Sequence, residues 1–299
     1  MSHAGRSPRV VELEGDFTHE MLHTRGLRLH AATAGDPADP LILLLHGTFG
    51  GWFDYADVLA PLAARGFHVA ALDLRGYGMS DKPAQRGGDE MLLSVGDVKG
   101  AVLTLGHRNA VLVGADTGGS VAWAAAAAHP DLVAGLVSVS AAHPADLRRC
   151  MARRPWDFLP LLARLALARM PVGDWLRAWA YRRDLLLNTS AEFHASPDFD
   201  RVLELRLRAA EISNARPYIR SNSQLLTQRA PSGPVPAPTL LLHPPLGLWG
   251  PVAARQRRRL RGPVTEDAVA GAKNLPHLER PAGFADTIAR FATSLPSPG

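Results

Sequence analysis

The sequence predicts an α/β protein: a mostly parallel sheet interrupted by one long helical insertion. Three observations carry that expectation. Short, wholly apolar runs such as Leu41-Ile42-Leu43-Leu44-Leu45 read as strands buried on both faces of a sheet. Helix-like segments separate these runs, which implies parallel strands joined by right-handed crossovers. From about 144 to 232 the strand signal vanishes, and leucine, alanine and arginine recur at helical spacing.

The elements follow in order. Residues 1–15 are expected to form a flexible basic arm. Two antiparallel edge strands are expected over 17–33, turning at Gly35-Asp36-Pro37. After the strand Leu41–Leu45 comes a helix from Tyr55 to Arg65, stopped by Gly66, and a second buried strand from Phe67 to Leu72. A helix over 91–105, a strand Ala110–Val113 and an alanine-rich helix Gly119–Ala128 repeat the alternation, and a strand Leu136–Val139 ends it. The helical insertion is broken by Pro171, Pro197 and Pro217. Proline-rich 231–238 leads back to a strand at Thr239–His243, followed by a helix, a strand near Ala268 and a final helix over 282–294. The expected division is a core over 16–143 and 233–299, with a helical cap over 144–232.

Composition narrows the function. With 46% hydrophobic and 20% charged residues, the chain can bury a substantial core. The formal charge is +5, and its densest run is Arg255, Arg257, Arg258, Arg259 and Arg261. That run reads as a solvated helix face; without interleaved aromatics it does not suggest a nucleic-acid partner. Cys150 is the only cysteine, which excludes an internal disulfide and a cysteine-based metal site. The first twenty residues lack an apolar signal core, and no apolar run reaches the ~18 residues of a membrane span. The expectation is a cytoplasmic protein without membrane contact.

Three motifs carry chemistry. His46-Gly47-Thr48-Phe49-Gly50-Gly51-Trp52 follows a buried strand. Asp73-Leu74-Arg75-Gly76-Tyr77-Gly78-Met79-Ser80-Asp81-Lys82-Pro83 follows the next. Gly114-Ala115-Asp116-Thr117-Gly118-Gly119 joins a strand to a helix. In a strand–turn–helix of that kind, small residues let the backbones approach, and the central side chain stands exposed at the helix N-terminus. The other reading of Asp116 is a cap for the helix that follows.

Taken in this order, the motifs closely resemble the epoxide hydrolase and haloalkane dehalogenase branch of the α/β-hydrolase fold. The resemblance implies an eight-stranded, mostly parallel sheet with flanking helices and a helical cap. It implies Asp116 as a carboxylate nucleophile that attacks carbon to form an alkyl ester. It also implies an oxyanion hole from the backbone N–H groups of Thr48 and Thr117. Phe49, Trp52 and Tyr218 are expected at a pocket for a small apolar molecule, with neither a cofactor nor a metal. Phe49 stands where proline is usual, and Thr117 where the dehalogenases carry a halide-binding tryptophan, which argues against dehalogenation.

The resemblance breaks at the water-activating residues. Gly271-Ala272-Lys273-Asn274-Leu275-Pro276-His277-Leu278-Glu279-Arg280-Pro281 puts Asn274 at the base position, and asparagine cannot take up and release a proton near neutral pH. Pro244-Pro245-Leu246-Gly247 puts Gly247 at the acid position; the alternative acid position after the preceding strand holds Ser140 and Ala141. Asp146, a little later, reads as a helix cap. His277 is the candidate rescue base, with His243 behind it, whereas His46 and His143 match structural positions. Tyr218 sits one residue from the usual tyrosine position, and Tyr181 is the other cap tyrosine. Three functions remain open: a hydrolase with a rescued base, a catalytically silent binding protein, or an isomerase or cyclase using an unpaired, buried Asp116 as acid or base.

Overall fold

Five apolar segments line up as parallel strands because each is buried on both faces. The structure, a computed structural model, describes residues 5–84, 88–170, 173–245 and 247–296, without the side chains of 165 and 167–169. Pro171 and Leu246, read above as a helix breaker and part of a turn, lie outside the described residues. The strands are β1 (Thr18–Thr24), β2 (Leu27–Ala34), β3 (Leu41–Leu45), β4 (His68–Leu72), β5 (Ala110–Ala115), β6 (Val133–Val139), β7 (Thr239–Leu242) and β8 (Val264–Asp267). They form one sheet in the order β1-β2-β4-β3-β5-β6-β7-β8. β2 runs antiparallel to both its neighbours, β1 and β4, and β3 to β8 run parallel to one another.

All side chains of β3, β4 and β5 are buried, and they feed two apolar layers on opposite faces of the sheet. One layer centres on Trp123 and the helix Asp116–Ala128; the other holds Trp52, Tyr55 and Phe284. Alanine dominates Asp116–Ala128 because this helix lies flat against the sheet, where larger side chains have no room.

Between β6 and β7 the described chain is helical from Pro144 to Leu226, including the helices Leu159–Arg169, Asp174–Asn188, Pro197–Ala210 and Ala215–Asn222. This insertion is pinned to the core by charge. Arg259 and Arg255 converge on buried Asp146, at 2.9 and 3.4 Å. The arginine run is therefore only partly a solvated face, and Asp146 is an anchor. His143 caps that helix instead, its Nδ1 accepting the Ala145 N–H.

The segment expected as an N-terminal arm makes contacts with the rest of the chain from residue 6. Arg6 exchanges backbone hydrogen bonds with Glu211 and Ser213, and Val11 is buried with its carbonyl accepting the Trp52 indole N–H. An apolar Val11 and a proline-started turn at Pro8 give this segment surface to bury. Among the described residues, no helix is long and apolar enough to cross a membrane.

Candidate active site

Asp116 is the first residue of the helix after β5, and its φ of +50° places it in the left-handed region that side chains rarely adopt. Its surroundings explain how that turn closes. A Cβ on Gly118 would lie 2.3 Å from the Leu45 carbonyl oxygen, and one on Gly114 2.5 Å from that of Gly118. Only glycine lets β5, the helix and β3 approach so closely.

The Asp116 carboxylate does not cap its own helix. Oδ2 accepts the Thr48 N–H at 3.0 Å, and Oδ1 accepts from Arg164 Nη2 at 2.6 Å. Burial alone would raise its pKa; the Arg164 charge and hydrogen bond, with the Thr48 amide, outweigh burial and hold it below the ordinary carboxylate value. This removes the ground for the acid–base reading, which assumed a carboxylate without a cationic partner. Thr117 is fully buried beside Asp116, and the Thr48 hydroxyl lies 3.5 Å from that of Thr117.

Arg164 belongs to a chain of buried charges that the sequence reading missed. Its Nη1 donates to Asp184 at 3.2 Å, and Asp184 lies 3.7 Å from Arg206, which grips Asp54 with two hydrogen bonds. Burial raises the Asp184 pKa despite both guanidiniums. A sequence clue existed: Tyr181, Asp184 and Asn188 are spaced three and four apart, which puts them on one helix face. For Arg164 in an apolar helix, nothing local distinguishes a pocket arginine from a surface one.

Asn274 is held by a polarised amide network. Its Oδ1 accepts from Trp249 Nε1 at 2.9 Å and from Ser140 Oγ at 3.2 Å. Its Nδ2 donates to Asn188 Oδ1 at 2.9 Å, and Asn188 Nδ2 donates in turn to Asp184. An indole can only donate and a carboxylate only accept, so these two ends fix both amide orientations. Ser140 and Asn274 thus touch where the alternative acid and the base would stand, but their contact is neutral. Gly247 is exposed with φ +95°, and among the described residues nothing lies within 4 Å of where a side chain would start.

His277 is buried against the Tyr55 ring, with centroids 4.6 Å apart, and its Nδ1 has no partner. Burial pushes its imidazole down to about 4. Among the described residues no carboxylate hydrogen-bonds it and no hydrogen bond joins it to Asp116, although it reaches the cavity wall. His243 donates to the Pro244 carbonyl and stacks on Trp249. His46 and His143 hold backbone: His46 accepts the Leu74 N–H and donates to the Gly47 carbonyl, and His143 donates to the Pro231 carbonyl.

A cavity of about 860 Å³ opens above Asp116, between the sheet core and the insertion. Phe49 lines it, packed on Tyr181 with ring centroids 4.5 Å apart. Trp52 and Tyr218 do not. Trp52 is buried in the core layer, and Tyr218 turns toward Gly76 and gives its hydroxyl hydrogen to the Pro83 carbonyl. The one-residue offset brings Ile219 to the cavity instead, as ~100° of helix per residue requires.

The fold and site can be set beside known proteins. The family model described as alpha/beta hydrolase fold matches residues 40–231. The chain is 34% identical over 141 residues to epoxide hydrolase 4 of Mus musculus, covering 47% of this chain and 39% of that protein. It is 40% identical over 124 residues to epoxide hydrolase B of Mycobacterium tuberculosis, covering 41% and 35%. The chain therefore spans about two fifths of the length of the curated relatives it matches. In fold it is similar to epoxide hydrolase A of Mycobacterium thermoresistibile, with a TM-score of 0.71 at 23% identity, covering 94% of this chain and 99% of that one. With its sheet order and its elbow at Asp116, this chain belongs to the α/β-hydrolase fold family, in the epoxide-hydrolase-like branch.

Proposed function

We propose that this protein binds a small apolar molecule in the cavity between core and cap, and that it has lost the water activation that would make it an efficient hydrolase. The observation that carries the reading is the environment of Asn274. An amide engaged by Trp249, Ser140 and Asn188 holds the base position, and it cannot shuttle a proton. The ion pair between Asp116 and Arg164 supports the same reading, because both carboxylate oxygens already have donors. Loss of a triad member commonly costs several orders of magnitude in rate.

A second reading, stoichiometric attack without release, is favoured by the intact elbow and the free reach of the cavity to Asp116. One experiment separates them. The protein is incubated with an aryl epoxide, diol is measured in solution, and the Asp116 peptide is weighed by mass spectrometry. Silence predicts neither diol nor adduct, with thermal stabilisation by the epoxide alone. A stable adduct of one molecule per chain supports the second reading. Many turnovers per chain, abolished by His277→Ala, would overturn both.

A further inference from the structure

We propose that the face of the helical insertion around the cavity mouth lies on an anionic lipid bilayer. Of the ten large apolar side chains that stand exposed among the described residues, seven fall between 156 and 187. Three are tryptophans: Trp156, Trp175 and Trp179 are 66, 76 and 54% exposed. Trp175 and Trp179 are four residues apart on one helix, so they project from the same side. Single exposed leucines are ordinary, but a set this concentrated marks a binding surface.

Its position ties it to the cavity. Leu159, Met170, Trp179 and Leu187 are exposed and also line the cavity, so the opening emerges within this apolar face. Tryptophan is the side chain suited to the boundary between water and hydrocarbon, because its ring is apolar and its N–H can still reach water or a headgroup.

Charge decides between a bilayer and a second copy. Arg153, Arg183 and Arg220 are exposed and make no ion pair among the described residues, and the last two also line the cavity. The exposed acids nearby, Asp157 and Asp174, are already paired with arginines. A two-fold contact would set this positive patch against itself. Anionic headgroups complement it, and apolar side chains that insert shallowly supply the rest of the affinity. That no helix among the described residues is long and apolar enough to cross a membrane does not oppose this, since the surface lies on a bilayer and does not cross it. The inference stands whether or not the cavity supports chemistry.

The test is flotation of the full chain with phosphatidylcholine vesicles, with and without phosphatidylglycerol. Tryptophan emission is read in parallel with brominated acyl chains. Binding is expected only with the anionic lipid, with blue-shifted and quenched emission and with loss at high salt. Trp175→Ser with Trp179→Ser should weaken binding about tenfold or more, whereas Leu103→Ser, exposed elsewhere, should not. Quenching of the wild type needs no variant and so does not depend on how a substitution folds. The proposal is overturned by wild-type protein that neither floats nor is quenched, or by binding indifferent to the tryptophan pair. It is equally overturned if the pair instead abolishes a concentration-dependent dimer, which would make the face a contact between copies.

Discussion

Arg164 Nη2 lies 2.6 Å from Asp116 Oδ1, so the carboxylate proposed as the nucleophile faces a guanidinium from the insertion and not an imidazole from the core. The pair is mostly buried, and the contact is charge-assisted. It keeps the carboxylate ionised and occupies one of its two oxygens. Arg164→Met should therefore free Oδ1 and let burial move the Asp116 pKa upward. Adduct formation with an aryl epoxide, followed by mass spectrometry of the Asp116 peptide, should then rise with pH across the neutral range. In the wild type it should stay low and flat. A variant as unreactive as wild type at every pH would show that the arginine is not what restrains the carboxylate.

The contact between Ser140 and Asn274 gives a way to test the proposed loss of water activation. Ser140 has φ +43°, a conformation that aspartate tolerates better than most residues. Asn274→His with Ser140→Asp should speed ester release by about a hundredfold over the parent chain, seen as diol formation in single-turnover experiments. Asn274→His alone should gain little, because nothing orients the ring. Gly247→Asp with Asn274→His should also fail, since position 247 is exposed with a strained φ and no neighbour. Recovery through Gly247→Asp and not through Ser140→Asp would reverse this assignment.

The buried imidazole of His277 makes stability depend on pH. Its pKa falls to about 4 in the fold from an ordinary 6.5. The unfolded chain therefore takes up the proton first. The contribution is intact above about pH 6.5 and is lost as pH falls toward 4, by about 3 kcal/mol at the limit. His277→Phe should flatten that part of the urea-midpoint profile while keeping the stack on Tyr55. A slope will remain, because His143 also falls to about 4. An unchanged profile in the variant would place the dependence elsewhere.

Arg206 and Asp54 are both nearly inaccessible, and the Asp54 carboxylate packs so closely on Gly50 that a Cβ there would lie 2.0 Å from it. Arg206→Met should cost about 3–5 kcal/mol, because it strands a buried carboxylate. Arg206→Met with Asp54→Leu should recover part of that loss. A double variant whose loss equals the sum of the losses of Arg206→Met and Asp54→Leu alone would mean that the pair contributes no coupling.

Phe49 and Tyr218 should separate in ligand binding. Phe49→Ala should reduce the thermal stabilisation given by an apolar ligand, and Tyr218→Phe should leave it unchanged, since Tyr218 faces Gly76 and Pro83. A large effect of Tyr218→Phe would contradict its orientation away from the cavity.

Much of the fold was legible in the residues. A run such as Leu41–Leu45 has little alternative to a strand buried on both sides, and the glycines around Asp116 have little use other than a turn where three backbones meet. Those signals are local: each depends on apolar character, on backbone freedom, or on spacing within a few positions. Asn274 was equally legible as a carboxamide, which differs from an imidazole in any context. Trp52 and Tyr218 misled because an aromatic beside a motif reads the same whether it faces a cavity or packs behind it.

What the chain could not disclose along its length was which charges meet. Arg164, Asp184, Arg206 and Asp54 lie 20 or more positions apart in sequence, and each looks like a surface residue in its own segment. Only the packing of three helices over the sheet brings them together at the cavity wall. There, largely shielded from bulk solvent, a guanidinium beside a carboxylate decides its protonation and its freedom to react. Sequence determined the sheet, the turn at Asp116 and the carboxamide at position 274; the tertiary structure decided that Asp116 would be paired, because only folding brings Arg164 to it.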